Sequence, residues 1–250
     1  MVSNINIYGR IDEKKIVIDK IRPFEGHYLK QIREYYRIGL TWTSNALEGN
    51  TLNETETKIL LEDGLTIGGK PLRDIYEAVG HSAAYNFMFE LINHKYIDCA
   101  AITEMHRLFY RAIDEKNAGI WRDTKIFVTG SDYVFPEPEK IGKEIDIFED
   151  WVRSERKKYH PVKFAALLHL KFVTIHPFVD GNGRVSRLLM NLALIQDGYM
   201  IAVIPPILRY EYMTAIQKYQ KTGNDKEFCE LIAEQVHESQ KEIIRLLQLK

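Results

Sequence analysis

Ile175-His176-Pro177-Phe178-Val179-Asp180-Gly181-Asn182-Gly183-Arg184-Val185-Ser186-Arg187 is a polar loop between two apolar patterns, Pro161 to Val173 before it and Arg184 to Asp197 after it. In both flanks apolar residues return at three- and four-residue spacing, the mark of helices. The same period recurs outward. It runs from Gly26 to Leu47, where Gly49 supplies a stop, and from Pro71 through Leu72, Ile75, Tyr76, Val79, Ala83 and Phe87. It returns from Cys99 to Ala112, from Ile141 to Val152, from Pro206 to Lys221 and from Asp225 to Leu249. Thr51 and Glu54 have capping-box spacing for a short helix through Leu61. The pattern breaks between Arg122 and Pro136, where Ile126 and Val128 alternate with polar neighbours ahead of the turn residues Thr129-Gly130-Ser131-Asp132. That alternation predicts a β-hairpin. The expectation is an all-α bundle of eight or nine helices with one small β-hairpin. No repeat or linker divides the chain, so residues 1–100 are expected to pack on 101–250 as one globular unit.

Each polar residue of the loop has a chemical task. Gly181 and Gly183 flank Asn182 and permit positive φ, so successive backbone N–H groups can converge as an anion-binding nest. The helix starting near Arg184 aims the positive end of its dipole at the same point. Arg184 and Arg187 share a helix face, within reach of phosphate oxygens. A polyphosphate is the ligand this arrangement predicts. Asp180 would repel phosphate without an intervening cation, and a carboxylate sharing Mg²⁺ with substrate phosphates is how that ion is usually held. A neutral His176 beside the phosphates can take a proton from an incoming hydroxyl.

Composition narrows the classes. A hydrophobic share of 45% with 28% charged residues is that of a folded chain, outside the regime of disorder. The 34 Lys and Arg against 35 Asp and Glu leave a net charge of −1, so nucleic acid and anionic membrane are not expected partners. The longest apolar stretches are broken by Lys171, His176, Gln196 and Asp197, which argues against a membrane span. Met1 to Lys20 carries scattered charge and no apolar core of export-signal length. Cys99 and Cys229 sit in apolar helical patterns, as buried structural thiols do, and a reducing cytoplasm is the expected setting.

At His176-x-Phe178-x-Asp180-Gly181-Asn182-Gly183-Arg184-x-x-Arg187 the chain resembles the Fic family, all eight specified positions matching that family's motif. The likeness extends from about Tyr28 to Leu247. It implies the Fic fold and transfer of AMP from Mg·ATP to a Ser, Thr or Tyr hydroxyl of a target protein. On that resemblance His176 deprotonates the hydroxyl and Asp180 holds Mg²⁺. Gly181, Asn182, Gly183 and Arg184 then hold the α- and β-phosphates, and Arg187 meets the γ-phosphate. The segment Ile126, Phe127, Val128 and Thr129 resembles the flap that clamps nucleotide and pairs with the target main chain. Arg209 to Met213 resembles the stretch that closes the nucleoside pocket, a role assigned to Tyr212, with Asn191 and Gln220 as weaker candidates.

Ser44-Asn45-Ala46-Leu47-Glu48-Gly49-Asn50 looks like the family's inhibitory motif S/T-x-x-x-E-G/N. Ser44 and Glu48 share a helix face, and Glu48 can reach an arginine packed opposite, expected to be Arg187. Such a pair removes a γ-phosphate contact and puts a carboxylate where phosphate charge should go. Transfer would then be held off by the protein's own N-terminal helix. Removal of AMP at the same site, phosphoryl transfer as in the Doc branch, and a non-catalytic phosphate module remain alternatives. Self-modification is an expected side reaction. Aromatics on the N-terminal helices offer a surface for a homodimer.

Overall fold

Pro161 occupies the first turn of α7 (Pro161–Ile175), and the His160 side chain caps the Val162 amide at 3.2 Å. Apolar residues cover nearly every side of this helix, and eleven of its fifteen residues are buried, so it becomes the centre of the bundle. It packs along α8 (Asn182–Gln196), buried almost continuously from Val185 to Leu194. The 176–181 loop joins the two. The computed structural model describes residues 6–249 apart from 67, 95, 129 and 131.

Ten α-helices lie among the described residues. Around the central pair stand α4 (Leu72–Glu90), α5 (Cys99–Tyr110), α6 (Ile141–Glu155), α9 (Arg209–Thr222) and α10 (Lys226–Leu246). Outside them are α2 (Gly26–Ala46) and α3 (Glu54–Asp63) on α4, and α1 (Ile7–Asp19) along α10. One hydrophobic core joins Ile11 and Leu40 to Phe109, Phe172, Leu192 and Val236. None of these helices is long and apolar enough to cross a membrane.

Several boundaries differ from the sequence expectation. α1 was not foreseen: only Ile11 and Ile18 of its thirteen residues are buried, too sparse for a legible stripe. Its support is tertiary, as when Gln240 of α10 donates to the Ile11 carbonyl at 3.0 Å. The capping box that opens α3 is Asn53 with Glu56, not Thr51 with Glu54. Thr51 is unavailable because its amide and hydroxyl both donate to Asp74 Oδ2, at 2.8 and 2.6 Å. Cys229 is buried, but Cys99 at the start of α5 is only half-buried.

The 122–136 segment reverses direction as expected, yet its described residues form no strand ladder. Side chains hold it instead. Arg122 donates to the carbonyls of Thr124 and Pro136 at 2.9 and 2.7 Å, tying the two arms, and Lys125 pairs with Glu137. The tip rests on α9, where Gln217 donates to the Gly130 carbonyl and Lys221 reaches Asp132.

At Gly80, α4 and α5 pack backbone to backbone, because a Cβ there would overlap the Phe109 carbonyl oxygen. Gly80→Ala is expected to force the helices apart and cost about 1–3 kcal/mol. A lower Tm in a thermal melt checks it; an unchanged Tm would contradict this packing.

Candidate functional site

His176 ends α7 in the left-handed region, φ 53° and ψ 59°, a conformation L side chains seldom adopt. Three bonds hold it there. Its amide donates to Phe172, its carbonyl accepts from Arg122 Nε at 2.8 Å, and its Nδ1 lies 3.1 Å from the Val173 carbonyl. A carbonyl can only accept, so Nδ1 carries the proton and Nε2 is left as a bare acceptor. Burial pushes the imidazole down to about 4, outweighing the backbone bond and the nearby carboxylates of Glu48 and Asp180. His176 is therefore neutral at pH 7.

The rest of the loop is locked from within. Asn182 bridges Phe178, its Oδ1 accepting from the Phe178 amide and its Nδ2 donating to the Phe178 carbonyl, both at 2.9 Å. Gly181 takes φ 79°, and a Cβ there would strike the Phe109 ring. His106 accepts at Nδ1 from the Gly119 amide, so its Nε2 donates to the Asp180 carbonyl at 3.1 Å. Its ring stacks on Phe178 with centroids 3.6 Å apart. The first-turn amides of residues 182–184 have no intrahelical acceptor, as at any helix start, and Gly181 offers no side-chain cap in its place.

A cavity of about 360 Å³ opens onto this helix end, large enough for a small ligand. His176, Asp180, Gly181, Asn182, Gly183 and Arg184 line its floor. Ile126, Phe127 and Val128 of the 122–136 segment cover one side, and Tyr212 with Gln220 of α9 the other. Thr129 lies outside the described residues. Two larger hollows along α2, about 500 and 600 Å³, are not lined by the 176–187 loop.

Arg187 is buried and bonded through all three guanidinium nitrogens. Its Nε donates to Ser44 Oγ at 2.9 Å and its Nη1 to the Tyr212 hydroxyl at 2.9 Å. Its Nη2 donates to the Ser44 carbonyl at 2.8 Å and to Glu48 Oε1 at 2.7 Å. The expected Glu48–Arg187 contact is thus present. Desolvation raises the Glu48 pKa, but the charges of Arg187 and Arg184 outweigh it and hold the carboxyl below its usual range. Gly183 makes room for that carboxylate, because a Cβ there would overlap Glu48 Oε1. Glu48 therefore lies against the first turn of α8, in the position the helix dipole prepares for an anion.

Other assigned residues are placed differently. Asn191 does not line the cavity: its carboxamide donates to the Ala202 carbonyl at 3.2 Å and accepts from the Ala202 amide at 2.7 Å. Tyr212 lines it with a buried ring, but its hydroxyl joins Arg187 to His169, 2.8 Å from Nε2. Gly49 takes φ 95°, and Asn50 turns back to α4, donating to Asp74 O at 3.1 Å and Glu77 Oε2 at 3.0 Å. Arg184 is buried over the Phe109 ring, its Nη1 3.0 Å from Glu77 Oε1 without hydrogen-bond alignment and its Nη2 3.4 Å from Asp180 Oδ1. Asp180 Oδ2 accepts from Arg73 Nη2 at 2.6 Å. Arg73, Glu77, His106 and Arg122 were missed by the sequence reading. Arg73 and Glu77 show only as an i,i+4 pair, one of several polar features of the Leu72–Glu90 helix.

Burial also lowers His81 to about 3 and His106 to about 4, and pushes His169 well below the usual 6.5. With His176, all four are neutral in the folded chain and take protons on unfolding below about pH 6.5. Their contribution to stability is thus complete above that pH and is lost as the pH falls toward 4. Each adds a slope of about 1.4 kcal/mol per pH unit within that window. Denaturant midpoints measured from pH 7.5 to 4.5 should drop steadily below pH 6.5; a flat series would refute neutral burial.

Residues 96–194, from the approach to α5 through most of α8, match the family model described as Fic/DOC family. The chain is 33% identical over 226 residues to a Drosophila mojavensis protein named protein adenylyltransferase Fic, covering 90% of this chain and 44% of that one. A Nematostella vectensis protein of the same name is 34% identical over 218 residues, 86% of this chain and 49% of that one. The chain thus spans about half the length of the curated relatives it matches. Among solved structures it is similar to Fic-1 from C. elegans, with TM-score 0.85 and 28% identity over 97% of this chain and 73% of that one. It is also similar to a Fic domain containing signaling protein from Bacteroides thetaiotaomicron, with TM-score 0.87 and 25% identity over 96% and 98% of the two chains. The motif loop, the helical frame around it and these likenesses agree: the chain carries a Fic domain of the Fic/DOC family, matched over residues 96–194.

Proposed function

We propose that this chain transfers AMP from ATP to a Ser, Thr or Tyr hydroxyl of a target protein, and that Glu48 holds it off at rest. The observation that carries the reading is the pairing of a neutral, Nδ1-protonated His176 with the uncapped start of α8. One supplies a base and the other an anion site, within one cavity. The adenylyltransferase relatives support the same activity.

His176 Nε2 takes the hydroxyl proton as that oxygen attacks the α-phosphorus. The new P–O bond joins AMP to the target as the bond to the bridging oxygen breaks and pyrophosphate leaves. The amides of residues 182–184, with Arg184, stabilise the phosphate charge. Arg187 joins them once Glu48 releases it. Asp180 fits Mg²⁺: its carboxylate is partly exposed at the cavity, supplies hard oxygen donors and already has a cation 2.6 Å away. When bound, Mg²⁺ would neutralise charge on the phosphates.

Phe127, 94% exposed, and the described residues of 122–136, which form no ladder, offer main-chain groups to an extended target segment. Tyr212 and Gln220 are the residues we assign to the nucleoside side. Intact-mass spectrometry after incubation with Mg·ATP tests the reaction class. Addition of an AMP mass to a target or to the chain itself supports transfer. Addition of a phosphate mass would overturn it in favour of phosphoryl transfer.

A further inference from the structure

Three charged groups are assigned to the proposed nucleotide and metal, and each is already paired by the N-terminal half of the chain. Arg187 is held by Glu48. Arg184 lies 3.0 Å from Glu77 and Asp180 lies 2.6 Å from Arg73, and both of these partners stand on α4. Arg73 Nε also donates to Glu77 Oε1 at 3.2 Å, so the guanidinium bridges a carboxylate of its own helix and one of the loop. The same Glu77 accepts from Asn50, two residues beyond Glu48. α4 thus presents a cation to the carboxylate and an anion to the guanidinium of the opposite loop.

We infer that Arg73 is the resident counter-cation of Asp180, which a divalent metal must displace before it can share that carboxylate with nucleotide phosphates. The inference rests on the reading of Asp180 as the metal-holding residue. A guanidinium nitrogen 2.6 Å from Oδ2 occupies the space a coordinated ion needs. Even when displaced, its positive charge stays close enough to weaken metal binding. The displacement itself is cheap. Arg73 is 57% exposed and Asp180 38% exposed, and exposed pairs of this kind contribute little. Arg73 therefore sets how much metal the site requires, through a long side chain that can swing into solvent.

The test measures binding rather than turnover. Calorimetric affinity for ADP is taken with EDTA and again with saturating Mn²⁺, and the ratio of the two affinities is the readout. A role of Arg73 in nucleotide contact or folding would shift both affinities together and leave the ratio fixed. Arg73→Gln is expected to raise the ratio about three- to five-fold. Arg73→Glu is expected to raise it further, because it adds a carboxylate beside Asp180. Unchanged ratios in both variants, with metal dependence abolished by Asp180→Asn, would overturn the competition and leave the proposed function standing. Metal dependence that survives Asp180→Asn would overturn the metal-holding role of Asp180, and this inference with it.

Discussion

His176→Ala is expected to cut AMP transfer by about 10²–10⁴-fold while nucleotide affinity changes by less than about threefold. The split follows from what the side chain touches. Its Nδ1 is committed to the Val173 carbonyl, and only the unprotonated Nε2 is available to the incoming hydroxyl. The amides proposed to meet the phosphates belong to residues 182–184 of α8, and Asn182 with Gly181 fixes them independently of the imidazole. Transfer is measured as AMP mass gained per unit time, and affinity by calorimetry with ADP. Transfer at wild-type rates would remove His176 from the base role. A parallel collapse of affinity would show that the ring shapes the phosphate site instead.

The second large effect runs the other way. Glu48→Gly is expected to raise AMP transfer, including self-modification, by about 10- to 100-fold. That range is the worth of one hydrogen bond between charged groups, about 1.5–3 kcal/mol, redirected from Glu48 to nucleotide. Two changes act together. Arg187 loses its 2.7 Å carboxylate partner, and the carboxylate vacates the first turn of α8, where it crowds Gly183. Arg187 does not become loose, because Ser44 and Tyr212 still accept three of its hydrogen bonds. It is freed in charge but kept in position. Intact-mass spectra of the wild-type chain and the variant, taken together in Mg·ATP, provide the comparison. Equal rates would show that the ion pair is structural and that restraint lies elsewhere.

Much of this site was legible in the chain because its chemistry is local. The glycines, Asn182 and both arginines of the motif lie within twelve consecutive residues, so their convergence on one helix start follows from backbone geometry. Ser44 and Glu48 were legible for the same reason, being one helical turn apart. The Ser44 and Glu48 contacts with Arg187 needed a family resemblance as well, since 139 positions separate Glu48 from its partner. Asn191 shows the limit of such reasoning. The family resemblance offered it for the nucleoside pocket, but its carboxamide closes the Ala202 backbone instead. The 122–136 segment shows another, since alternation predicts strands but cannot show that Arg122 replaces the ladder with side-chain bonds.

What the amino-acid sequence determined by itself was the helical class, the central pair of buried helices and the polar loop between them, because periodicity and turn chemistry act between near neighbours. The tertiary structure alone decided which groups neutralise that loop. Arg73 reaches Asp180 across 107 positions, and Arg122 reaches the His176 carbonyl across 54. No local spacing encodes such pairs. They exist because α4 and the 122–136 segment are docked by a core whose packing forces their polar side chains onto the same loop, where charge and hydrogen bonding then choose the partners.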